Sequence, residues 1–298
     1  TPLPPPSPDS HPLLRRRNSK LTRRNPGGHL LCGRFALGRT TYRIVRTIGQ
    51  GSHASVWICE SVDGRAAPLA LKFPRSADSS LRRETEALKC LACSEGLFPA
   101  VMGAPVLRGR ACVALSMHGP NLYQLQTSRG YTPFPRDFVA AAAQQLLAAL
   151  DMLFRAGIIH ADVKLQNIVL YEVSSADSRD VILDHRTSIT LIDLGSCLNE
   201  ESCHSMSPAK PLYVQSRWYR APEVLLGAPL SCAIDAWSVG CVICELARGK
   251  PLLPGNSRLE QFRLVVHLVG PPPLDLLDQA IAARRQRRAY LAAAEGNV

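Results

Sequence analysis

Eight consecutive residues, His160-Ala161-Asp162-Val163-Lys164-Leu165-Gln166-Asn167, constrain this chain more than any other stretch. They set a carboxylate, an ammonium and an amide at offsets 0, +2 and +5, just after a long helical pattern, FVAAAAQQLLAALDMLFRA, that Gly157 stops. One match to that spacing carries little weight. Its force comes from other elements in a fixed order along the chain. Gly49-Gln50-Gly51 lies between two strand patterns, YRIVRTIG and ASVWICES, and Lys72 closes the apolar strand LALK. Glu84 sits in an amphipathic helix, Asp193-Leu194-Gly195 follows the strand SITLI, and Ala221-Pro222-Glu223 comes about thirty residues later.

Each element has a chemical reason. Glycines let backbone amides approach phosphate oxygens that side chains would otherwise block. Gly49-x-Gly51 is not a P-loop, since no Gly-Lys-Ser/Thr follows, and not a dinucleotide turn, since a strand rather than a helix comes next. A lysine in an apolar strand needs a carboxylate partner. Glu84 has apolar Ala87 and Leu88 at i+3 and i+4 and shares their inward face, whereas Glu86 points away. Asp162 is suited to accepting a hydroxyl proton and Lys164 to neutralising a transferring phosphoryl group, with Asn167 and Asp193 as oxygen donors to Mg²⁺.

The ordered set resembles the eukaryotic protein kinase family from Tyr42 to about Tyr290. The resemblance implies an α+β fold in two lobes, a β-rich N-lobe over 42–118 with its hinge and a mainly helical C-lobe over 119–298. It also implies transfer of the ATP γ-phosphate to protein substrates bearing Ser or Thr, with ATP and Mg²⁺ as cofactors. Ile48, Gly49 and Gly51 would cover the nucleotide, and Val56, Ala70 and Val169 would sandwich its adenine. Leu115 would stand at the back of the pocket, with Ser116, Met117 and His118 in the hinge. Lys72 would hold the phosphates and pair with Glu84. Lys164, two residues after Asp162, matches the serine/threonine pattern.

A narrower likeness lies in Tyr213-Val214-Gln215-Ser216-Arg217-Trp218-Tyr219-Arg220-Ala221-Pro222-Glu223, with Asn121-Leu122-Tyr123 and Lys250 to Asn256 in agreement. It is similar to the CMGC group, especially the dual-specificity tyrosine-regulated and homeodomain-interacting kinases. By that likeness Tyr213 is autophosphorylated and held by Arg217 and Arg220, since paired guanidiniums suit a phosphate dianion. Arg217 and the group likeness also point to proline-directed or arginine-assisted substrates. Three positions depart from the pattern. Ala54 replaces the third loop glycine, Leu194 the usual phenylalanine, and Ala161 the usual arginine of the catalytic loop. The family also continues past the point reached at Val298. The expectation is therefore a C-lobe incomplete at its C-terminal end, with buried Glu223 short of its arginine partner.

Composition sets the remaining bounds. The formal charge of +11 sits at the ends: residues 1–41 carry eight Lys/Arg against Asp9, and the last fifteen residues carry four Arg against Glu295. The near-neutral middle argues against a basic-faced nucleic-acid module, so no specific nucleic acid is expected as a partner. Residues 1–41 read as a disordered basic tail rich in Pro, Arg and Ser, faintly similar in composition to an organelle transit peptide. No apolar run is long enough to cross a membrane and no signal peptide precedes the domain. The expectations are thus a monomer, no membrane, and the nucleus or cytoplasm as compartment. The pairs Cys90/Cys93 and Cys241/Cys244 fall inside helical patterns, which predicts buried reduced thiols rather than zinc knuckles. A kinase-like nucleotide-binding scaffold without turnover is the alternative reading, since Ala54 and the C-terminal end weaken the pattern.

Overall fold

Alternating apolar residues and short turns build the N-terminal half as a sheet. The computed structural model describes residues 33–51, 54–75, 80–94, 96–171, 182–205 and 214–295. Strands β1 (Arg34–Leu37), β2 (Thr40–Gln50), β3 (Ala54–Ser61) and β4 (Leu69–Pro74) run antiparallel to one another. Helix α1 (Ser80–Cys90), β5 (Val101–Gly103), the small hairpin β6 (Val106–Leu107) and β7 (Arg110–Ala111), and β8 (Val113–Ser116) complete this half. The sheet order is β1-β2-β3-β4-β8-β5. Register places Val56 opposite Lys72 and Ala70 opposite Leu115. Leu81, Glu84, Ala87 and Leu88 form the buried face of α1, at the spacing one helix face requires.

Below the hinge the chain turns helical. Helices α2 (Leu122–Ser128) and α3 (Arg136–Arg155) come first, then β9 (Ile158–Ile159) and the hairpin β10 (Ile168–Leu170) with β11 (Ile189–Leu191). They are followed by β12 (Leu198–Asn199), α4 (Glu200–Ser205), α5 (Pro222–Leu226), α6 (Ala233–Arg248), α7 (Arg258–Val269) and α8 (Leu274–Glu295). Asn121 caps α2 through a reciprocal box with Gln124, its side chain accepting the Gln124 N–H at 2.8 Å. By length and composition α3 could cross a membrane; its Phe138, Ala142, Leu146, Ala149 and Leu153 are buried in the lobe, where the helix packs against α6. Gly249 ends α6 at φ 72°, and a side chain there would press on the Tyr131 carbonyl and sit 2.9 Å from Pro133 N.

Three expectations change. The expected basic tail runs through residue 41, yet Arg34–Leu37 pairs with Thr40–Arg43 as an ordered hairpin. Its anchor is apolar: Phe35 stacks on Tyr42 with ring centroids 5.8 Å apart, and both are buried. Residues 1–32 of the expected tail lie outside the described residues. The thiol expectation holds for Cys241, which is buried, and in part for Cys244, which is half-buried. Cys90 and Cys93 are exposed, because α1 ends at Cys90 and Cys93 lies in the following turn. Glu223 is half-buried rather than buried, and burial still lifts its carboxyl above the usual range. Among the described residues no cation pairs with it, while α8 packs across its helix α5.

Candidate active site

Lys72 on β4 and Glu84 on α1 meet in the interior as their sequence context requires. The Lys72 ammonium donates to both Glu84 carboxylate oxygens, at 2.6 and 2.7 Å, and to Asp193 Oδ1 at 2.6 Å. Glu84 is 2% exposed, whereas Glu86 lies outside and binds Arg82 at 2.8 Å. Burial works against the Lys72 charge, but Asp193 and Glu84 outweigh it and hold the ammonium above its ordinary range. For Asp193 burial pushes upward, and the adjacent ammonium more than reverses that, holding the carboxyl below its usual range. Asp193 adopts a left-handed backbone, φ 68° and ψ 65°, unusual for a non-glycine residue and concentrated at functional sites.

The loop after β9 gathers the second group. Asp162 Oδ2 accepts from Lys164 Nζ at 2.7 Å and from Asn167 Nδ2 at 3.2 Å. Its Oδ1 accepts from the Ser216 hydroxyl at 2.8 Å and the Ser216 N–H at 3.2 Å. Lys164 also donates to Ser216 Oγ at 3.1 Å. A serine hydroxyl thus rests between a carboxylate and an ammonium, the surroundings a hydroxyl substrate needs for proton removal. Asn167 spends its amide N–H₂ on the Asp162 carbonyl and carboxylate, which leaves its Oδ1 as an oxygen donor.

Beneath this loop lies Asp235, near the start of α6. Its two carboxylate oxygens accept the His160 and Ala161 N–H groups at 2.6 and 3.0 Å. Burial lifts its carboxyl, against the pull of His160 and those two N–H groups. His160 is fully buried; its Nδ1 accepts from the Asp162 N–H at 3.3 Å and its Nε2 donates to the Ile192 carbonyl at 3.1 Å. Ala161 has φ 63° and its methyl is buried in a small apolar cluster with Ile159, Ala221 and Ile234. These contacts fix the direction of Asp162.

The remaining expected residues fall around the cleft. Ile48 is half-exposed on β2, Gly49 faces Val56 across the β2–β3 turn, and the Gly51 N–H donates to the Ala54 carbonyl at 2.9 Å. Arg75 donates to the Gly51 carbonyl at 3.0 Å. Leu115 and Val169 are buried, and Val169 bridges to Asn121. Met117 is half-buried in the hinge. Next to it the His118 ring bridges Ser116 Oγ at 2.9 Å and the Tyr171 carbonyl at 3.1 Å, with its pKa lowered by burial. Tyr213 lies outside the described residues. Arg220 is buried and holds the Val214 and Gln215 carbonyls at 3.0 and 2.7 Å. Arg217 reaches instead to the Asn256 carbonyl at 2.8 Å.

Ser216, His160, Gln215 and Asp235 had no assigned role in the sequence. Only Asp235 left a trace, as a lone acid at the start of an apolar helix pattern. Gln215 supports the segment from below: its amide donates to the Ile234 carbonyl at 2.7 Å and to Ser238 Oγ at 2.8 Å.

The protein kinase domain family matches residues 42–271. Among similar proteins, dual specificity tyrosine-phosphorylation-regulated kinase 4 of Homo sapiens is 33% identical over 254 residues, covering 82% of this chain and 45% of that protein. Homeodomain-interacting protein kinase 1 of Caenorhabditis elegans is 35% identical over 178 residues, 60% of this chain and 19% of its own length. Dual specificity tyrosine-phosphorylation-regulated kinase mbk-2 of Caenorhabditis elegans is 31% identical over 252 residues, 82% of this chain and 28% of its own. The chain therefore spans less than half the length of these relatives.

Proposed function

We propose, from the premise that this chain belongs to the protein kinase domain family with its likeness in the CMGC group's DYRK and HIPK kinases, that it is an ATP-dependent serine/threonine kinase. In this reading Tyr213 is its own substrate. The carrying observation is the pair of networks described above, Glu84–Lys72–Asp193 and Lys164–Asp162–Asn167 with Ser216. Adenine would lie between Val56 and Ala70 above and Val169 below, with Leu115 behind and Met117 at the hinge. Ile48, Gly49 and Gly51 would cover the phosphates.

Two hard oxygen donors, the Asp193 carboxylate and Asn167 Oδ1, suit Mg²⁺, which takes one or two protein ligands and fills its shell with water and phosphate. Bound there, Mg²⁺ would neutralise charge on the phosphates. Lys72, anchored by Glu84, would orient the phosphates. Asp162 would accept the proton of the incoming hydroxyl, and Lys164 would offset negative charge on the transferring group. The hydroxyl then replaces Ser216 Oγ as partner of Asp162 or shares the carboxylate with it.

The backbone of Gln215 supports a proline-directed substrate class. It holds φ 62°, and Arg220 occupies its carbonyl. A residue placed just after the acceptor hydroxyl would find no free carbonyl there for its N–H, which favours proline at that position.

The test is transfer of labelled phosphate from ATP to a Ser-Pro peptide and to a generic basic protein. Wild type is expected to transfer, and Lys72→Met and Asp162→Asn to lose transfer, with Asp162→Asn still binding nucleotide. Nucleotide binding without any transfer by wild type would overturn the reading in favour of a scaffold. Phosphopeptide mapping of active enzyme that finds Tyr213 unmodified would remove the autophosphorylation element alone.

A further inference from the structure

The sequence holds two Cys-x-x-Cys pairs, and the fold treats them oppositely. Cys241 and Cys244 lie inside α6, the first buried and the second half-buried. Cys90 and Cys93 stand at the surface where α1 ends. Cysteine is among the residues most often buried, so two exposed thiols three positions apart call for a reason. The turn that carries them is held from its other side: Leu91 and Ser94, also three apart, are 3% and 7% exposed. One pair faces the core and the other faces solvent.

The backbone hydrogen bonds change type at this turn. The Leu91 N–H still donates four residues back, to the Ala87 carbonyl at 3.1 Å. The Ala92 and Ser94 N–H groups donate only three residues back, to the Lys89 and Leu91 carbonyls at 3.4 and 3.1 Å. Bonds of that span bring side chains at i and i+3 into eclipse. On a regular helix such side chains keep their β-carbons about 5–6 Å apart, and a disulfide needs about 3.5–4.5 Å. A tightened turn at a helix end supplies that difference, whereas the interior of α6 is hydrogen-bonded on both sides and resists it. We propose that Cys90 and Cys93 form a modification site, a dithiol that closes reversibly to a disulfide by exchange with a small-molecule disulfide of the glutathione type.

One protein thiolate attacks a sulfur of oxidised glutathione, displaces one glutathione thiolate and leaves a mixed disulfide. The second protein thiolate then attacks the protein-side sulfur, forms the S–S bond and displaces the second glutathione. The displaced thiolates take up the two protons, so two protein thiols are oxidised and one glutathione disulfide is reduced to two thiols. An exposed disulfide of this kind is readily reduced again. Zinc fits less well: a structural zinc takes four ligands, and among the described residues no group of three or more His, Cys, Asp or Glu is placed to hold a metal. The turn also joins α1, which carries Glu84, to an anchor on the hairpin β10–β11. There the Gly96 carbonyl accepts the Thr190 hydroxyl at 2.7 Å and the Leu97 carbonyl accepts the Leu191 N–H at 2.8 Å. Closing the ring stiffens that link. The proposal does not depend on the kinase reading.

The test equilibrates the full chain in glutathione buffers from reducing to oxidising, quenches with acid, unfolds, alkylates with N-ethylmaleimide and weighs the tryptic peptides. Cleavage after Lys89 and Arg108 releases a peptide with Cys90 and Cys93 and no other cysteine. That peptide should pass from doubly alkylated to unalkylated and two hydrogens lighter, while the peptide holding Cys241 and Cys244 stays fully alkylated. Dithiothreitol should restore the first form. Cys90→Ser and Cys93→Ser should each stop at the glutathione mixed disulfide. At fixed total glutathione, each should need about a tenfold or higher ratio of oxidised to reduced form for half modification, because ring closure gives the second thiol a high effective concentration. Both variants should keep the thermal unfolding curve of the reduced wild type. A wild-type peptide that stays alkylated throughout, or that collects glutathione on both cysteines without an internal bond, overturns the proposal. So do disulfide-linked dimers through either cysteine, or thiols that bind zinc and thereby resist oxidation.

Discussion

Glu245 gives the sharpest test of the packing physics. It lies in α6, 2% exposed, and its Oε2 accepts the buried Tyr219 hydroxyl at 2.7 Å. Burial pushes its pKa to about 7, against the opposing hydrogen bond from Tyr219. The unfolded chain ionises this carboxyl near its ordinary value, so the raised native pKa makes protonation favour the fold. That contribution is fully present below about pH 4.5, declines as pH rises, and is lost once pH passes about 7. The shift corresponds to about 3 kcal/mol between the two ends of the window. Glu245→Gln stays neutral throughout and keeps an oxygen for the Tyr219 hydroxyl. At pH 8 it should therefore be more stable than wild type by about 2–3 kcal/mol, which raises Tm by about 5–12 °C in a domain of this size. At pH 4.5 the two should coincide.

Thermal and urea unfolding from pH 4.5 to 8 measure the difference directly, since every other group titrates alike in both proteins. Tyr219→Phe is the matching control. Removing the donor that lowers the Glu245 pKa should steepen the loss of stability with rising pH, and that added slope should vanish in the double variant. If Glu245→Gln is the less stable protein at pH 8, or the difference does not change with pH, then Glu245 is not a buried titrating carboxyl and the reasoning fails.

Ser216→Ala removes one hydrogen bond to each of two charged groups, so kcat should fall about 10–100-fold with little change in KM, and Ser216→Thr should restore most of it. Gly249→Ala must hold a left-handed backbone and press on the 131–133 backbone; it should cost about 2–4 kcal/mol, read as a lower Tm. Arg217→Ala should lower the activity of enzyme phosphorylated on Tyr213 more than that of the unphosphorylated form, measured as the ratio of kcat/KM for the two.

What could be read in advance was whatever depends on spacing along one element. Glu84, rather than Glu86, pairs with Lys72 because helix periodicity puts it beside Ala87 and Leu88, and that rule needs no tertiary information. The ends of α3 and α6 were marked by Gly157 and Gly249 for the same local reason. Contacts across many residues left no such sign. Ser216 reaches Asp162 over 54 positions and nothing marks that serine in its own segment; Asp235 stands out as an acid at the start of an apolar helix, but its partner, the His160 N–H, lies 75 positions away. The Arg34–Leu37 hairpin was hidden by the basic, proline-rich composition before it, although Phe35 and Tyr42 were both in view. Around Cys93 the apolar pattern continues one turn beyond the point where the backbone leaves the helix, so periodicity alone extends α1 too far.

The catalytic loop also bears on how a phosphate on the activation segment could be received. In the family pattern the residue before the catalytic aspartate offers a cation to it. Here that residue is Ala161, its backbone left-handed, its methyl buried, and its N–H committed to Asp235. A larger side chain would have to displace the Ile159, Ala221 and Ile234 packing as well as tolerate the backbone angle. Under the proposed autophosphorylation the duty would fall on Arg217 and Arg220, and these two are not equivalent. Arg220 is 3% exposed, with Nε and Nη2 already on the carbonyls of Val214 and Gln215, so moving it would free two acceptors in the segment that positions Ser216. Arg217 gives up only the Asn256 carbonyl, an exposed bond that water can replace. The lower cost lies with Arg217, so a phosphate on Tyr213 would draw that side chain away from the loop before α7. It would leave Arg220, and with it the Ser216–Asp162 contact, in place.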